Sequence, residues 1–497
     1  MARLTASPFA APALAALALA GCTVGPDYRA KTPAELGVPT AYSVPAPASP
    51  EDLTRWWSNF DDPVLGQLVE QARGANTDIA QAIGRLRQAR EALVQSRASL
   101  LPTLSGSAGY QRNENLRGGG RSFTLPDGTV VDTGGGGTNS FSAGLSASYQ
   151  VGLFGEIRRT VEASRAQYEA SGFDYATVLL SVESEVARNY VLARAYQAQL
   201  ANARASLAIQ DDNLEIAGFR VQAGLVSSVD VEQARSQRAQ TAASVPQIEQ
   251  QYAAAVARLR VLTGQAPGAL RSALAAPRAI PKGPASVGVG IPADALRRRP
   301  DVRSAERTLA AATARIGVAK AQLYPALAIT GNINSNATSL TGLGDAITGG
   351  LFAGLTQAIF NGGRLRAQVR SNEAAADTAF ANYKGVVLLA LEDIENAIVA
   401  LDSARRRETQ FAIAYDAANA SAILSRSQYR TGLTDFTTLN QQEAALLSAQ
   451  NGLTQARSDQ ATALIALYDA LGGGWDPSIV PQASERGATP IFATEPR

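Results

Sequence analysis

Residues 139–151 read Asn139-Ser140-Phe141-Ser142-Ala143-Gly144-Leu145-Ser146-Ala147-Ser148-Tyr149-Gln150-Val151. Phe141, Ala143, Leu145, Ala147, Tyr149 and Val151 alternate with small polar residues, the period of a strand with one apolar and one polar face. The run matches the roughly 10 residues that a tilted membrane strand requires. Weaker forms of the pattern occur at Leu104–Gln111, Leu327–Ser335 and Leu351–Phe360. Four such strands cannot close a barrel. An open sheet edge cannot face lipid either, because no water is there to satisfy its N–H and C=O groups. The smallest closed membrane barrels use about eight strands, so several chains must pool theirs.

The strands sit in two copies of one plan. Asp78 to Pro102 matches Asp301 to Pro325 without gaps, with Leu86/Leu309, Ala98/Ala321 and Leu100/Leu323 in step. Each copy passes through its strands into a very long stretch, in which Glu185/Glu392, Asn189/Asn396 and Ala193/Ala400 again agree. Apolar residues there recur at three- and four-residue spacing, as in Leu179, Val182, Val186, Tyr190 and Ala193, which is the helical period. No proline interrupts Glu156 to Gln222 or Arg364 to Thr431. About 65 residues at 1.5 Å each make a rod of roughly 100 Å, which must lie along neighbours as coiled coil. Each rod ends at a Gly-Leu turn, Gly224-Leu225 or Gly432-Leu433, and a helix half as long returns over 229–262 or 436–471. Pro246 predicts a kink in the first of these. A period above 200 residues is too long for a solenoid unit and reads as duplication of a half-protein.

The organisation expected is a first repeat over 65–264, with strands about 103–112 and 139–152 and a tip near 224. A linker over 265–292 leads to a second repeat over 293–474, with strands about 326–336 and 350–360 and a tip near 432. A tail follows over 475–497. The glycine-rich connection from Arg112 to Thr138 lacks the lysine and Ser/Thr of a phosphate loop and reads as a flexible surface loop. Arg297-Arg298-Arg299-Pro300 reads as a helix start or a solvated cluster.

Composition removes whole classes of function. The 497 residues carry 45 Lys+Arg against 43 Asp+Glu, a net charge of +2 that leaves no basic excess for nucleic acid. There is no histidine and one cysteine, which argues against a zinc or other metal site and against His-based catalysis. A lipoprotein hydrolase would need a nucleophile and a base, and no Gly-x-Ser-x-Gly elbow is present. No catalytic residue and no cofactor is expected.

The start of the chain addresses it to a membrane. Arg3 precedes an apolar run from Phe9 to Ala20, ending in Leu19-Ala20-Gly21-Cys22. This is a signal peptide over 1–21, too short for the roughly 20 residues of a spanning helix. Leu-Ala-Gly-Cys resembles the bacterial lipobox, so Cys22 is expected to carry the acyl chains, palmitate among them, with 22–64 as a lipidated extended segment. Thr23, where aspartate would favour inner-membrane retention, points to the outer membrane. No later segment is long and apolar enough to be a transmembrane helix.

Four ordered motifs carry a family resemblance. Cys22-Thr23-Val24-Gly25-Pro26-Asp27-Tyr28, Trp56-Trp57-Ser58-Asn59-Phe60-Asp61-Asp62-Pro63, Leu296-Arg297-Arg298-Arg299-Pro300-Asp301-Val302 and Tyr468-Asp469-Ala470-Leu471-Gly472-Gly473-Gly474-Trp475 resemble the signatures of outer membrane efflux lipoproteins. These form the OprM/NodT branch of the TolC-like outer membrane factors. The resemblance implies a mainly α chain with membrane β: a homotrimer whose long helical periplasmic barrel continues into a shared twelve-stranded transmembrane barrel, four strands per chain. It implies a passive exit channel for small molecules or drugs, lipid-anchored in the bacterial outer membrane. Its partners would be outer membrane lipids, a periplasmic adaptor protein and an inner-membrane pump of the resistance-nodulation-division type. Matched by position, Asp230 and Tyr429 fall where the family ties its closed tip, and Arg430 follows. The family's acidic constriction ring falls on Thr438 and Gln441, neither of them acidic. Gly224, Leu225, Gly432 and Leu433 at the tips would meet the adaptor. A type I protein-secretion duct and a lipid-anchored coiled-coil stalk are the alternatives, and the stalk leaves four matched strands unexplained.

Overall fold

In the computed structural model, residues 23–45, 52–114, 121–133, 137–284, 286–476 and 478 are described. The expected signal peptide, Cys22 and most of the tail lie outside them. Helix α1 (Pro63–Ala75) precedes the first copy of the plan. That copy runs α2 (Thr77–Ala98), β1 (Thr103–Asn113), β2 (Arg121–Thr124), β3 (Val130–Thr133), β4 (Thr138–Val151), α3 (Glu156–Gln222) and α4 (Ser228–Leu262). After α5 (Arg271–Ala275) and α6 (Pro292–Arg298), the second copy runs α7 (Pro300–Ala321), β5 (Ala326–Ala337), β6 (Ile347–Thr356), α8 (Arg364–Thr431) and α9 (Phe436–Ala470). The duplication extends to lengths: 22 residues in both α2 and α7, 67 and 68 in α3 and α8, 35 in both α4 and α9. Helix α4 continues through Pro246. No described helix is long and apolar enough to cross a membrane.

The chain divides into two compact units. The first (Met1–Arg29, Arg90–Gln167, Leu309–Ala379) holds an antiparallel sheet in the order β1-β4-β5-β6. Its register puts Leu145 opposite Gly106 and Ile333, and Ser146 opposite Ser105 and Asn332. Opposite residues share a face, so the alternation in each strand adds up to one apolar and one polar face. Ser105 and Ser146 bring their Oγ atoms within 2.8 Å on the polar one. On the apolar face Leu104 and Leu351 are 73% and 83% exposed. Among the described residues, the outer edges, β1 and β6, have no partner strand in this chain.

Two expectations for this unit need correction. The last strand lies at Ile347–Thr356 instead of about 350–360. Thr356 pairs with Ala326, and the next partner would be Pro325, which has no N–H to extend the ladder. The connection read as a flexible loop contains the hairpin β2–β3. It is turned by Leu125-Pro126-Asp127-Gly128, with Gly128 at φ +84° and Leu125 N–H donating to Thr129 O at 3.0 Å. Pro-Asp-Gly is the signal that had been legible there.

The same unit pins the described start of the chain. The buried Arg159 guanidinium donates to Val24 O at 3.3 Å and Asp27 at 2.6 Å. Thr23 lies against Gly155, where an added Cβ would come within 2.7 Å of its methyl group.

The second unit (Ala30–Ala89, Tyr168–Thr308, Phe380–Arg497) holds the main core. Trp56 stacks on Tyr468 at 5.4 Å and is wholly buried. Asp62 caps α1, accepting from Val64 N–H at 2.9 Å, and also receives the Tyr190 hydroxyl at 2.7 Å. Pro63 at the first helical position loses nothing, since its N–H would have been unpaired. The Trp-Trp motif is therefore a core anchor and a helix start in one. Glu183, fully buried in α3, is paired with Arg73 Nε at 3.1 Å, and burial holds its carboxyl well above the ordinary carboxylate range. Arg299 is not a solvated charge: it is mostly buried and ties Asp301 at 2.7 Å to Asp393 at 3.1 Å.

Candidate functional site: the hairpin tips

Both hairpin tips are built by one local device. Leu225 N–H donates to Arg220 O at 2.9 Å and Gly224 N–H to Val221 O at 3.0 Å; Leu433 N–H donates to Gln428 O at 2.8 Å and Gly432 N–H to Tyr429 O at 3.0 Å. This is a Schellman motif at each end, which needs a left-handed residue; Gly224 sits at φ +69° and Gly432 at φ +80°. Three residues after each glycine comes the cap of the returning helix. Ser227 accepts from Val229 N–H at 3.2 Å and Asp435 from Thr438 N–H at 2.7 Å. The motif leaves Leu225 and Leu433 on the outside, 68% and 80% exposed.

Two residue pairs join the tips, and a third braces the first hairpin. Arg220 in α3 donates to Tyr429 O in α8 at 2.9 Å, and its guanidinium carbon lies 4.7 Å from the Tyr429 ring centre. Arg430 in α8 pairs with Asp212 in α3 at 2.9 Å, both exposed. Asp211, beside it, pairs with Arg238 in α4. The adjacent acids of α3 therefore tie one helix of each hairpin. Within the second hairpin, Arg426 grips the buried Glu443, with Nη2 at 2.8 Å from Oε2 and Nε on the other oxygen.

The tie expected between Tyr429 and Asp230 is not made. Tyr429 is buried edge-on against Phe436 at 5.8 Å, in a cluster with Leu439 and Ala234, and its hydroxyl has no hydrogen-bond partner among the described residues. Burial raises the phenol pKa; the Arg220 charge lowers it and the Asp230 carboxylate raises it further. Asp230 therefore acts on Tyr429 through space, while Arg220 makes the contact. Thr438 is half-buried at the start of α9 and Gln441 is exposed. The first acidic residue after them in α9, Glu443, is buried on Arg426. Sequence reasoning missed Arg220 and Glu443. A basic residue in the last turn of a helix was a signal for the former; whether Glu443 faces in or out is a matter of packing.

The outer membrane efflux protein family matches residues 68–265 and 291–473. Nodulation protein T of Rhizobium leguminosarum bv. trifolii is 32% identical over 465 residues, 93% of this chain and 96% of that one. The pyoverdine export outer membrane protein OpmQ of Pseudomonas aeruginosa is 33% identical over 426 residues, 85% of this chain and 88% of its own length. Among solved structures, the outer-membrane channel OprN aligns with a TM-score of 0.81 at 33% identity, covering 91% of this chain and 100% of that one.

Proposed function

The chain belongs to the outer membrane efflux protein family, and on that footing we propose that it is the outer-membrane exit channel of a tripartite efflux system, passing small molecules to the exterior. The observation that carries this is the β1-β4-β5-β6 sheet, apolar on one face, polar on the other and unpaired at both edges. Such a sheet is stable in lipid only when its edges are paired. Three copies joined β6 to β1 give a closed barrel of about twelve strands with polar residues inside. Energy comes from the inner-membrane pump, of the resistance-nodulation-division type; this chain supplies a water-filled path.

The exposed Leu225 and Leu433, with Gly224 and Gly432 shaping their turns, form the adaptor-contacting surface. The gate is the set of ties that Arg220 and Arg430 make around Tyr429, with the Asp230 charge acting on it through space and Thr438 and Gln441 as neutral neighbours. Cys22 carries the lipid. Its neighbour Thr23 is held at Gly155, a few residues past the end of β4, which is where an acyl chain entering the same leaflet has to start. Purified protein should give single-channel currents in planar bilayers and the mass of three chains by native mass spectrometry in detergent. A monomer that still conducts contradicts the shared barrel, and a trimer without conductance contradicts the channel.

A further inference from the structure

The polar face of the four-stranded sheet carries no ionisable side chain. The register puts on it the odd-numbered residues of β1 and the even-numbered residues of β4, β5 and β6, which are serine, threonine, asparagine, glutamine, glycine and alanine with one exception. The sheet's one charged residue, Arg112, stands opposite Asn139 on the apolar face at the end of β1. The exception is Phe352. It faces Thr330 across the ladder and has Gly350 and Gly354 as its neighbours on the same face of β6. A Cβ at Gly354 would meet its ring carbons at 2.6 and 3.0 Å, so the ring lies over the glycine toward the strand end leading into α8. It is still 66% exposed. The large apolar side chains of the sheet otherwise occupy the opposite, lipid-facing side.

We propose that Phe352, on an otherwise uncharged hydroxyl- and amide-bearing wall, is a contact for the aromatic rings of neutral cargo, repeated in each chain of the barrel. The inference rests on the exit-channel reading, which makes the polar face the water-filled side. A phenyl face in water offers stacking and hydrophobic area to a planar solute, and this side chain is mostly exposed. An uncharged wall neither holds back nor traps such a solute by Coulomb forces, so the ring decides what lingers.

The test uses purified trimer in planar bilayers, with probe added at the barrel mouth so that it reaches Phe352 without crossing the tips. N-acetyl-L-tryptophanamide should interrupt the current with a residence about twofold to tenfold longer than N-acetyl-L-leucinamide, the range of an aromatic pair. Phe352→Leu keeps the cover over Gly354 but lacks the π face, and should erase that difference while single-channel currents persist. Phe352→Trp should keep it. Phe352→Ala adds a second reading where it assembles. Equal residence in the native channel, or a difference that survives in Phe352→Leu, overturns the inference. So does a longer residence for the N-acetyl-L-tryptophan anion than for its amide, which would reveal a charged wall. Currents without ring-dependent residence strike this inference alone, whereas absence of any current strikes the channel reading with it.

Discussion

Replacing Arg220 by alanine removes the contact that joins the two hairpins at Tyr429. Two interactions go with it: a charge-assisted hydrogen bond to Tyr429 O at 2.9 Å and the guanidinium over the ring at 4.7 Å. A hydrogen bond from a charged donor contributes about 1.5–3 kcal/mol, and water reaching this half-exposed side chain takes it to the low end. The cation–π contact adds about 0.5–1 kcal/mol. The loss is then about 2 kcal/mol per chain. If three chains open together, the sum approaches the roughly 5.5 kcal/mol that carries a two-state equilibrium from 1:99 to 99:1. Arg220→Ala should therefore raise open probability strongly in single-channel recordings, with the trimer intact by native mass spectrometry. Arg220→Lys, which keeps the charge without the planar fork, should lie between it and the native protein. Tyr429→Phe should leave the closed state unchanged, because the lost hydroxyl had no partner. If Tyr429→Phe opens the channel while Arg220→Ala does not, the tie runs through the phenol and this assignment of the contact is wrong.

Other consequences can be checked separately. Arg430→Ala breaks only the exposed pair with Asp212, worth about 0.2–1 kcal/mol, so its effect on opening should be clearly smaller than that of Arg220→Ala and should vanish in high salt. Arg73→Ala strands the buried Glu183, and losing one partner of a buried pair costs about 3–5 kcal/mol. Glu183 already titrates above its ordinary value when folded, so its contribution is fully present below the unfolded value and is lost as pH rises through the folded one. Removing Arg73 raises the folded value further. Thermal unfolding in detergent should then show a larger loss for Arg73→Ala at pH 8 than at pH 5, and an equal loss at both pH values refutes the reasoning. Gly474→Ala puts a side chain at φ +91° and drives its Cβ into the Glu183 carboxylate; the backbone alone costs about 1–2 kcal/mol, so a melting temperature like that of the native protein would contradict the packing. Leu225→Asp with Leu433→Asp should abolish binding to the cognate adaptor while conductance persists, and retained binding would remove the tips from that interface.

How much was legible follows from the range of each interaction. The strand faces depend on a period of two, the rods on a period near 3.6 and the tips on a glycine followed by Leu and, two residues later, a Ser or Asp cap; each is written within a few adjacent residues. That is why β1, β4, β5, both hairpins and the duplicated lengths stand where the pattern puts them. The shorter features slipped. The end of β6 depends on a proline in another strand, and the β2–β3 hairpin has only four residues a side.

The contacts that tie the tips lay beyond the sequence for a different reason. Arg220 and Tyr429 are 209 residues apart, and periodicity places each on its helix without saying which partner it meets. Composition likewise showed that charge and histidine chemistry were scarce, but not that the sheet's polar face is free of charge or that Phe352 belongs to it; the ladder register decides this, since a slip of one residue exchanges the faces. Burial of Glu183 is likewise a fact of packing: the chain's Trp-Trp segment and its Gly-Gly-Gly-Trp segment converge on that residue from opposite ends of the sequence. Local patterns, read over a turn of helix or a pleat of strand, determined what the elements are. The tertiary structure decided which side chains meet, because meeting depends on summed geometry over hundreds of residues that no local period encodes.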